Sequence, residues 1–169
     1  IGLSGSGKTF LSKNLLKSLK KKFKKIKWID GDQFRKKFSK DLGYSLRDRK
    51  KNSNRMRRYC KKYEEKKYIV ICSILSIFRD HQKSNRKFFK EYMQIFIQVN
   101  SSLLIKRNTK KIYSFAKNVV GKNINFPKPY KSDITIKNSF NTSFLKSKKL
   151  IIDKIYEKLS NKNFKSYKK

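Results

Sequence analysis

The first nine residues constrain this chain more than any other stretch. Ile1-Gly2-Leu3-Ser4-Gly5-Ser6-Gly7-Lys8-Thr9 fits the pattern G-x-x-x-x-G-K-[ST]. In a loop of this kind the glycines permit backbone torsions that turn successive N–H groups to one concave side, where they cradle a nucleotide β-phosphate. The Lys8 ammonium reaches the β- and γ-oxygens, and the Thr9 hydroxyl is a ligand for Mg²⁺. A helix starting near Gly7 adds its positive N-terminal end. Gly2, Leu3, Ser4, Gly5, Ser6, Gly7, Lys8 and Thr9 are therefore the candidate nucleotide-binding residues. A Gly/Ser turn ahead of an ordinary helix is the simpler alternative, and the complete pattern followed by an amphipathic helix argues against it.

A phosphate loop is normally fed by a buried strand. Only Ile1 precedes Gly2, so Ile1 is expected to be the last residue of a truncated central strand. Residues 1–160 are expected to form one domain and 161–169 a disordered basic tail, because the tail has little to bury. Hydrophobic residues make up 37% of the chain, with 13 Phe and 9 Tyr, enough for a single α/β core. Mean hydropathy is −0.81. No run approaches the length of a membrane span and no signal peptide is visible. Cys60 and Cys72 lie far apart in sequence and, with His81, make no zinc pattern. Reduced thiols in a cytoplasmic protein are the expectation, with His81 at the surface.

The formal net charge of +36 points either to a polyanion partner or to a compositional bias toward Lys, Asn, Ile, Tyr and Phe. Lysine far outnumbers arginine and is spread along the chain, with no basic arm. Nucleic-acid binding is therefore disfavoured. The field still attracts anionic nucleotides and costs some stability through self-repulsion.

Hydrophobic periodicity predicts a helix from Lys8 to about Lys22, with Leu11, Leu15 and Leu19 at i, i+4, i+8. Ile26–Ile29 reads as a strand that delivers Asp30-Gly31-Asp32 at its C-terminal end, the edge where open parallel sheets bind ligands. A short helix with Phe34, Phe38 and Arg35 follows, then the loop Asp41-Leu42-Gly43-Tyr44. Ser45-Leu46-Arg47-Asp48 is a capping-box start for a helix to about Glu65, with Arg49, Asn52 and Arg55 near one stripe. Tyr68–Cys72 is a continuous apolar run, as in a strand covered on both faces. Further helices are expected over Arg79–Tyr92, from Ser101, over Lys110–Lys117 and over Thr142–Leu159. Gln94–Val99 and Ile134–Ile136 read as strands. Asn118–Lys131 reads as a mobile loop. Strands alternating with helices after a phosphate loop imply a P-loop α/β fold, a parallel sheet between two helical layers.

Three stretches together resemble the adenylylsulfate kinase family: Gly2–Thr9; Asp30-Gly31-Asp32-x-x-Arg35; and Asp41-Leu42-Gly43-Tyr44-Ser45-x-x-Asp48-Arg49-x-x-Asn52-x-x-Arg55. Ile74-Leu75-Ser76 is similar to that family's Ile-Ser-Pro segment, and Arg107–Tyr113 to its Arg-Asp-x-Lys-Gly-Leu-Tyr segment. The similarity covers about residues 1 to 138. It implies a nucleotide-kinase-like fold, ATP and Mg²⁺ as cofactors, and transfer of the ATP γ-phosphoryl group to the 3′-hydroxyl of adenosine 5′-phosphosulfate. It implies catalytic roles for Lys8, Asp30, Asp32 and Ser76, with Mg²⁺ on Thr9 and Asp30 and Arg107 beside ATP. Asp32 is taken as the base, although the sequence does not separate its role from that of Asp30. Arg35, Arg49 and Arg55 suit an acceptor anion, Tyr44 offers a face to a base, and Asn52 and Lys110 match positions that touch the acceptor. Ser76 is read as a pocket residue in a direct transfer, not as a phosphorylated intermediate. The plain alternatives are an N-capping turn for the carboxylates, a solvated helix face for the arginines and core packing for Tyr44. A homodimer stays open.

Departures from the family's pattern bear on the acceptor. Tyr44 replaces Phe, Ile77 replaces Pro, and Gln82 stands where an arginine is usual, with Arg86 retained. Asn108 replaces Asp and Lys111 replaces Gly. The segment Asn118-Val119-Val120-Gly121 is short and lacks the aromatic that stacks the adenine of the acceptor. Phe at Val119 or Val120 is expected to recover part of the adenine preference. The short lid and the stretch Cys72–Phe78 are similar to a branch acting on cytidine diphosphoramidate, a capsule-sugar precursor. Three readings follow: an adenylylsulfate kinase in sulfate activation, a relative with another nucleotide acceptor, or a non-catalytic basic binder of nucleic acid.

Overall fold

The computed structural model describes residues 1–107, 117–141 and 143–160. The expected helix over Lys110–Lys117 and the tail from residue 161 fall almost wholly outside them, as does Lys110.

Four short parallel strands form the frame. β1 (Ile26–Asp30) pairs with β2 (Ile69–Ser73), in register from Ile26 opposite Ile69 to Asp30 opposite Ser73. β3 (Ile95–Gln98) pairs with β4 (Ile134–Lys137). Ile1 lies along β3: its nitrogen donates to the Ile95 carbonyl at 2.6 Å, and its carbonyl accepts from Ile97 N at 2.9 Å. That is the bonding pattern of a parallel strand. Every strand falls within a residue or two of the stretch that its apolar run predicts.

Helices cover both faces. α1 (Lys8–Leu19) buries Leu11, Leu15 and Leu19. It stops before Lys22 because the chain turns to bury Phe23, whose N–H bonds the Leu19 carbonyl at 3.0 Å. α2 spans Gly31–Phe38, and α3 spans Leu46–Glu65. The α3 cap is the predicted one: Ser45 Oγ accepts from Asp48 N at 3.1 Å and donates to Asp48 Oδ2 at 2.9 Å. α4 (Arg79–Phe88) ends four residues before Tyr92, because Glu64 Oε1 takes the Lys90 N–H at 2.7 Å and draws the chain out of the helix. α5 spans Ser101–Arg107 and α6 spans Ser143–Ser160. Among the described residues no helix is long and apolar enough to cross a membrane.

The strands form two separate parallel pairs, and helices pack on both sides of them. Leu11 and Leu15 of α1 meet Phe144 and Ile151 of α6 over Ile97, Ile134 and Ile136, with Ile71 against them. On the other face Phe34, Met56 and Cys60 pack on Ile29, with Val70 and Cys72 against them. Consecutive residues of β2 therefore enter opposite cores, the arrangement that makes a parallel strand apolar throughout. Cys60 and Cys72 meet in this second core, where the Cys60 thiol and burial push the Cys72 thiol up. Among the described residues no group of ligating side chains could hold a zinc ion.

Two expectations are corrected. Asn118–Lys131 has neither helix nor strand, but it is fastened at both ends, by Val119 and Val120 in the core and by paired peptide groups at Tyr130. His81 is buried, not a surface residue. It packs on Phe78, and its Nδ1 lies 2.9 Å from Ser53 Oγ on α3. Amphipathic α4 turns His81 inward with Gln82, which a single histidine in a polar stretch did not reveal.

Burial lowers the His81 pKa from 6.5, Asp80 raises it, and Arg57 and Lys50 lower it further. The unfolded imidazole then takes a proton at a pH where the folded one stays neutral. Stability is therefore expected to fall as pH drops through 6.5 toward the lowered folded value. Melting temperatures of the parent and of His81→Gln over about pH 5.5 to 7.5 check this. The variant should show the shallower slope, and parallel slopes would rule the effect out.

Candidate active site

The phosphate loop closes at the N-terminus of α1. Gly7 has φ 95°, a left-handed conformation, and a Cβ there would stand 2.9 Å from Asn138 Nδ2 and 3.0 Å from Phe144 Cε1. Both the torsion and the close approach require glycine. Asn138, buried just past β4, donates to the Ser6 carbonyl at 3.0 Å and so supports the loop from below. The Lys8 ammonium folds back on the Leu3 carbonyl at 2.5 Å.

Asp30 ends β1 and caps α2. Its Oδ1 accepts from Asp32 N at 3.1 Å and Gln33 N at 3.2 Å. Its Oδ2 accepts from Thr9 Oγ1 at 2.7 Å. The capping role and the functional one are thus compatible, one oxygen for each. A hydroxyl and a carboxylate in contact are hard oxygen donors suited to Mg²⁺. Asp32 sits exposed on the first turn of α2. The two carboxylates that the motif left equivalent are therefore in different settings. A Cβ on Gly31 would lie 3.0 Å from the Ser73 carbonyl and 3.5 Å from Ile74 Cα, so the end of β2 and Ile74 pass directly beside this turn.

Tyr44 is 57% exposed, which excludes core packing. The Arg35 guanidinium lies 4.7 Å and that of Arg49 5.4 Å from its ring centroid. Loop carbonyls hold both. Arg35 donates to Gly43 O at 2.7 Å and Leu42 O at 3.3 Å. Arg49 donates to Tyr44 O at 3.0 Å and to Asn118 O at 2.9 Å, which ties α3 to the lid. Burial, and then the charge of Arg35, lower the Arg49 pKa below the usual guanidinium value. These arginines are not a simple solvated face.

Arg55 is placed differently. It grips Asp41 through two bonds of 2.6 and 2.7 Å, and it holds that carboxyl below the usual range. The structure gives it to the Asp41–Ser45 loop and does not bring it to Tyr44. Asn52 Oδ1 is buried with no hydrogen-bond partner among the described residues, an acceptor suited to a donor on a ligand. Ser76 is held by Gln82 Nε2, 3.1 Å from its carbonyl and 3.3 Å from Oγ. Arg107, at the end of α5, stacks 3.9 Å above Phe140.

The lid corrects one expectation. Val119 and Val120 are 6% and 3% exposed, and Val119 packs with Leu104, Leu3 and Phe140. Phe at either position would overpack a core, at a cost of about 1–3 kcal/mol, instead of offering a face to a base. Asn138 and Phe140 escaped the sequence reading, and Gln82 entered it only as a departure from the family's pattern. Asn138 had a usable signal, a polar residue directly beyond the C-terminal end of a predicted strand.

The Adenylylsulphate kinase family model matches residues 1–137. Cytidine diphosphoramidate kinase of Campylobacter jejuni is 33% identical over 162 residues, 91% of this chain and 92% of that protein. Adenylyl-sulfate kinase of Prochlorococcus marinus is 35% identical over 118 residues, 69% of this chain and 59% of that protein. The Mycobacterium tuberculosis APS kinase CysC, solved with AMPPNP and APS, superposes with a TM-score of 0.82 at 22% identity, covering 90% of this chain and 92% of its own. That likeness shows the fold, a P-loop α/β nucleotide kinase. On these grounds the chain belongs to the adenylylsulphate kinase family, as an ATP-dependent phosphotransferase acting on a nucleotide.

Proposed function

We propose that this enzyme transfers the ATP γ-phosphoryl group to a hydroxyl of a nucleotide of the cytidine diphosphoramidate class. The observation that carries the acceptor is the lid. With Val119 and Val120 turned into the core, Tyr44 offers one exposed aromatic face, with no aromatic opposite it in the Asn118–Gly121 lid. The end-to-end similarity to the Campylobacter jejuni enzyme agrees with this.

The geometry supports the following division of roles. Loop amides from Gly2 to Thr9 and the Lys8 ammonium hold the β- and γ-phosphates, and Arg107, backed by Phe140, carries the adenine of ATP. Thr9 and Asp30 would hold Mg²⁺, which supplies charge neutralisation at the phosphates when bound. Asp32 takes the proton of the attacking hydroxyl. Arg35 and Arg49, both within cation–π distance of Tyr44, grip the acceptor's anion, with Asn52 as a further contact; Lys110, outside the described residues, is carried over from the family resemblance alone. Arg55 acts through the Asp41–Ser45 loop. Adenylylsulfate is the second reading, favoured by the family model and by paired arginines suited to a phosphosulfate.

Base stacking on an aromatic is worth about 1–3 kcal/mol. Loss of one of two faces should weaken adenine selection by roughly ten- to hundredfold. The test is kcat/KM for adenylylsulfate and for cytidine diphosphoramidate. The cytidine compound should be preferred. Exclusive use of adenylylsulfate would overturn the proposal in favour of the second reading, and turnover of neither would overturn both.

A further inference from the structure

We propose that Gln82 is a positioning residue that clamps the Ser76 and Tyr130 loops together and turns the Ser76 hydroxyl into a hydrogen-bond donor toward the acceptor nucleotide. The donor role rests on the kinase reading above; the clamp does not.

Gln82 is completely buried, 0% exposed, on the first turn of α4. Its neighbours fix the orientation of its amide. The Tyr130 N–H can only donate, so the atom 2.6 Å away is Oε1. The Ser76 carbonyl can only accept, so the atom 3.1 Å away is Nε2. The same nitrogen lies 3.3 Å from Ser76 Oγ. An amide nitrogen has two protons and accepts nothing, so Ser76 Oγ is the acceptor in that contact and its own proton is left for another group. A nucleophilic serine needs a base to take that proton, and Gln82 presents the opposite polarity. Both protons and the oxygen of the Gln82 amide are engaged by protein atoms. It therefore acts on a ligand only through the two loops.

Each loop adjoins a segment that touches the proposed site. Ser73 and Ile74, which lead into Ser76, pass beside Gly31, between Asp30 and Asp32. The Tyr130 peptide is held at both ends. Its carbonyl accepts from buried Gln94 Nε2 at 2.8 Å, and Arg86 pairs with Asp133 at 3.1 Å just beyond. From there the chain runs back through Pro129 and Phe126, which with Leu3 of the phosphate loop line a cavity of about 290 Å³ against β3. The usual family arginine at this position would carry a buried charge; glutamine makes a neutral joint with matched polarity.

The experiment compares Gln82→Met, which keeps length and burial but removes all three bonds, with Gln82→Glu, which keeps the acceptor for Tyr130 and reverses polarity toward Ser76. Backbone amide exchange at Tyr130 should accelerate in Gln82→Met and stay slow in Gln82→Glu. Unchanged exchange in Gln82→Met overturns the clamp, whichever acceptor the enzyme takes. In steady-state kinetics with the better of adenylylsulfate and cytidine diphosphoramidate, both variants should raise the acceptor KM by about three- to tenfold and leave the KM for ATP unchanged. Ser76→Ala should raise the acceptor KM similarly, and the Gln82→Met/Ser76→Ala double variant should be no worse than either single one. Multiplied losses, or an equal rise in the KM for ATP, overturn the donor role. If the parent uses neither nucleotide, the acceptor reading fails, while Tyr130 exchange still decides the clamp.

Discussion

Lys8→Ala is expected to lower kcat by about a thousandfold, the scale for one preorganised charge removed from a developing anion, with the fold intact. The structure explains why the two effects separate. Lys8 opens α1, where a cation opposes the helix dipole and no acidic residue of the first turn offsets it. The chain as a whole carries a net charge of +36, so one lysine fewer relieves repulsion. Alanine at this position should leave the melting temperature equal or slightly higher. The Lys8 ammonium contacts the Leu3 carbonyl within the loop itself, so its side chain is anchored locally and not to a distant element of the core. An ATP-consumption assay and a thermal melt of the same preparation measure both quantities. Unchanged kcat would remove Lys8 from the reaction.

Asp30→Asn should lower kcat by about a hundredfold or more and raise the Mg²⁺ concentration needed for half-maximal rate, at nearly constant melting temperature. Asparagine caps helices as well as aspartate does, so the bonds from Asp32 N and Gln33 N to Oδ1 survive. What disappears is the negative charge that faces Thr9 Oγ1 at 2.7 Å. Asp30→Ala makes the contrast. It removes the cap as well and should cost about 1 kcal/mol of stability besides the rate. Normal turnover in the Asn variant at ordinary Mg²⁺ would show that the carboxylate serves only as a cap. A large fall in melting temperature would show that its charge is structural.

The readable part of this protein is local in the chain. The phosphate loop declares itself because contiguous glycines, a lysine and a hydroxyl are needed in one order to bend the backbone around an anion. The α3 cap is legible for the same reason, since Ser45 and Asp48 satisfy each other across a single turn. The leucines of α1 mark their buried face through periodicity, and the continuous apolar run of β2 marks a strand covered on both faces.

Other assignments turned on partners that no spacing encodes. Arg49 and Arg55 sit on the same helix, six residues apart, and looked alike; packing gave one to Tyr44 and Asn118 and the other to Asp41. His81 and Gln82 lie in a polar stretch, and only the docking of α4 against Ser53, Ser76 and Tyr130 makes burying them tolerable. Val119 faces inward because Leu104, Leu3, Val99 and Phe140 offer it an apolar site, and Val120 beside it is buried as well. The sequence by itself marked the loop proposed to hold the phosphates of ATP and the Asp30–Asp32 turn, because those motifs are written in consecutive residues. The tertiary structure alone decided how Arg49, Arg55 and Gln82 are partnered, because a polar group takes the partner that distant elements bring to it.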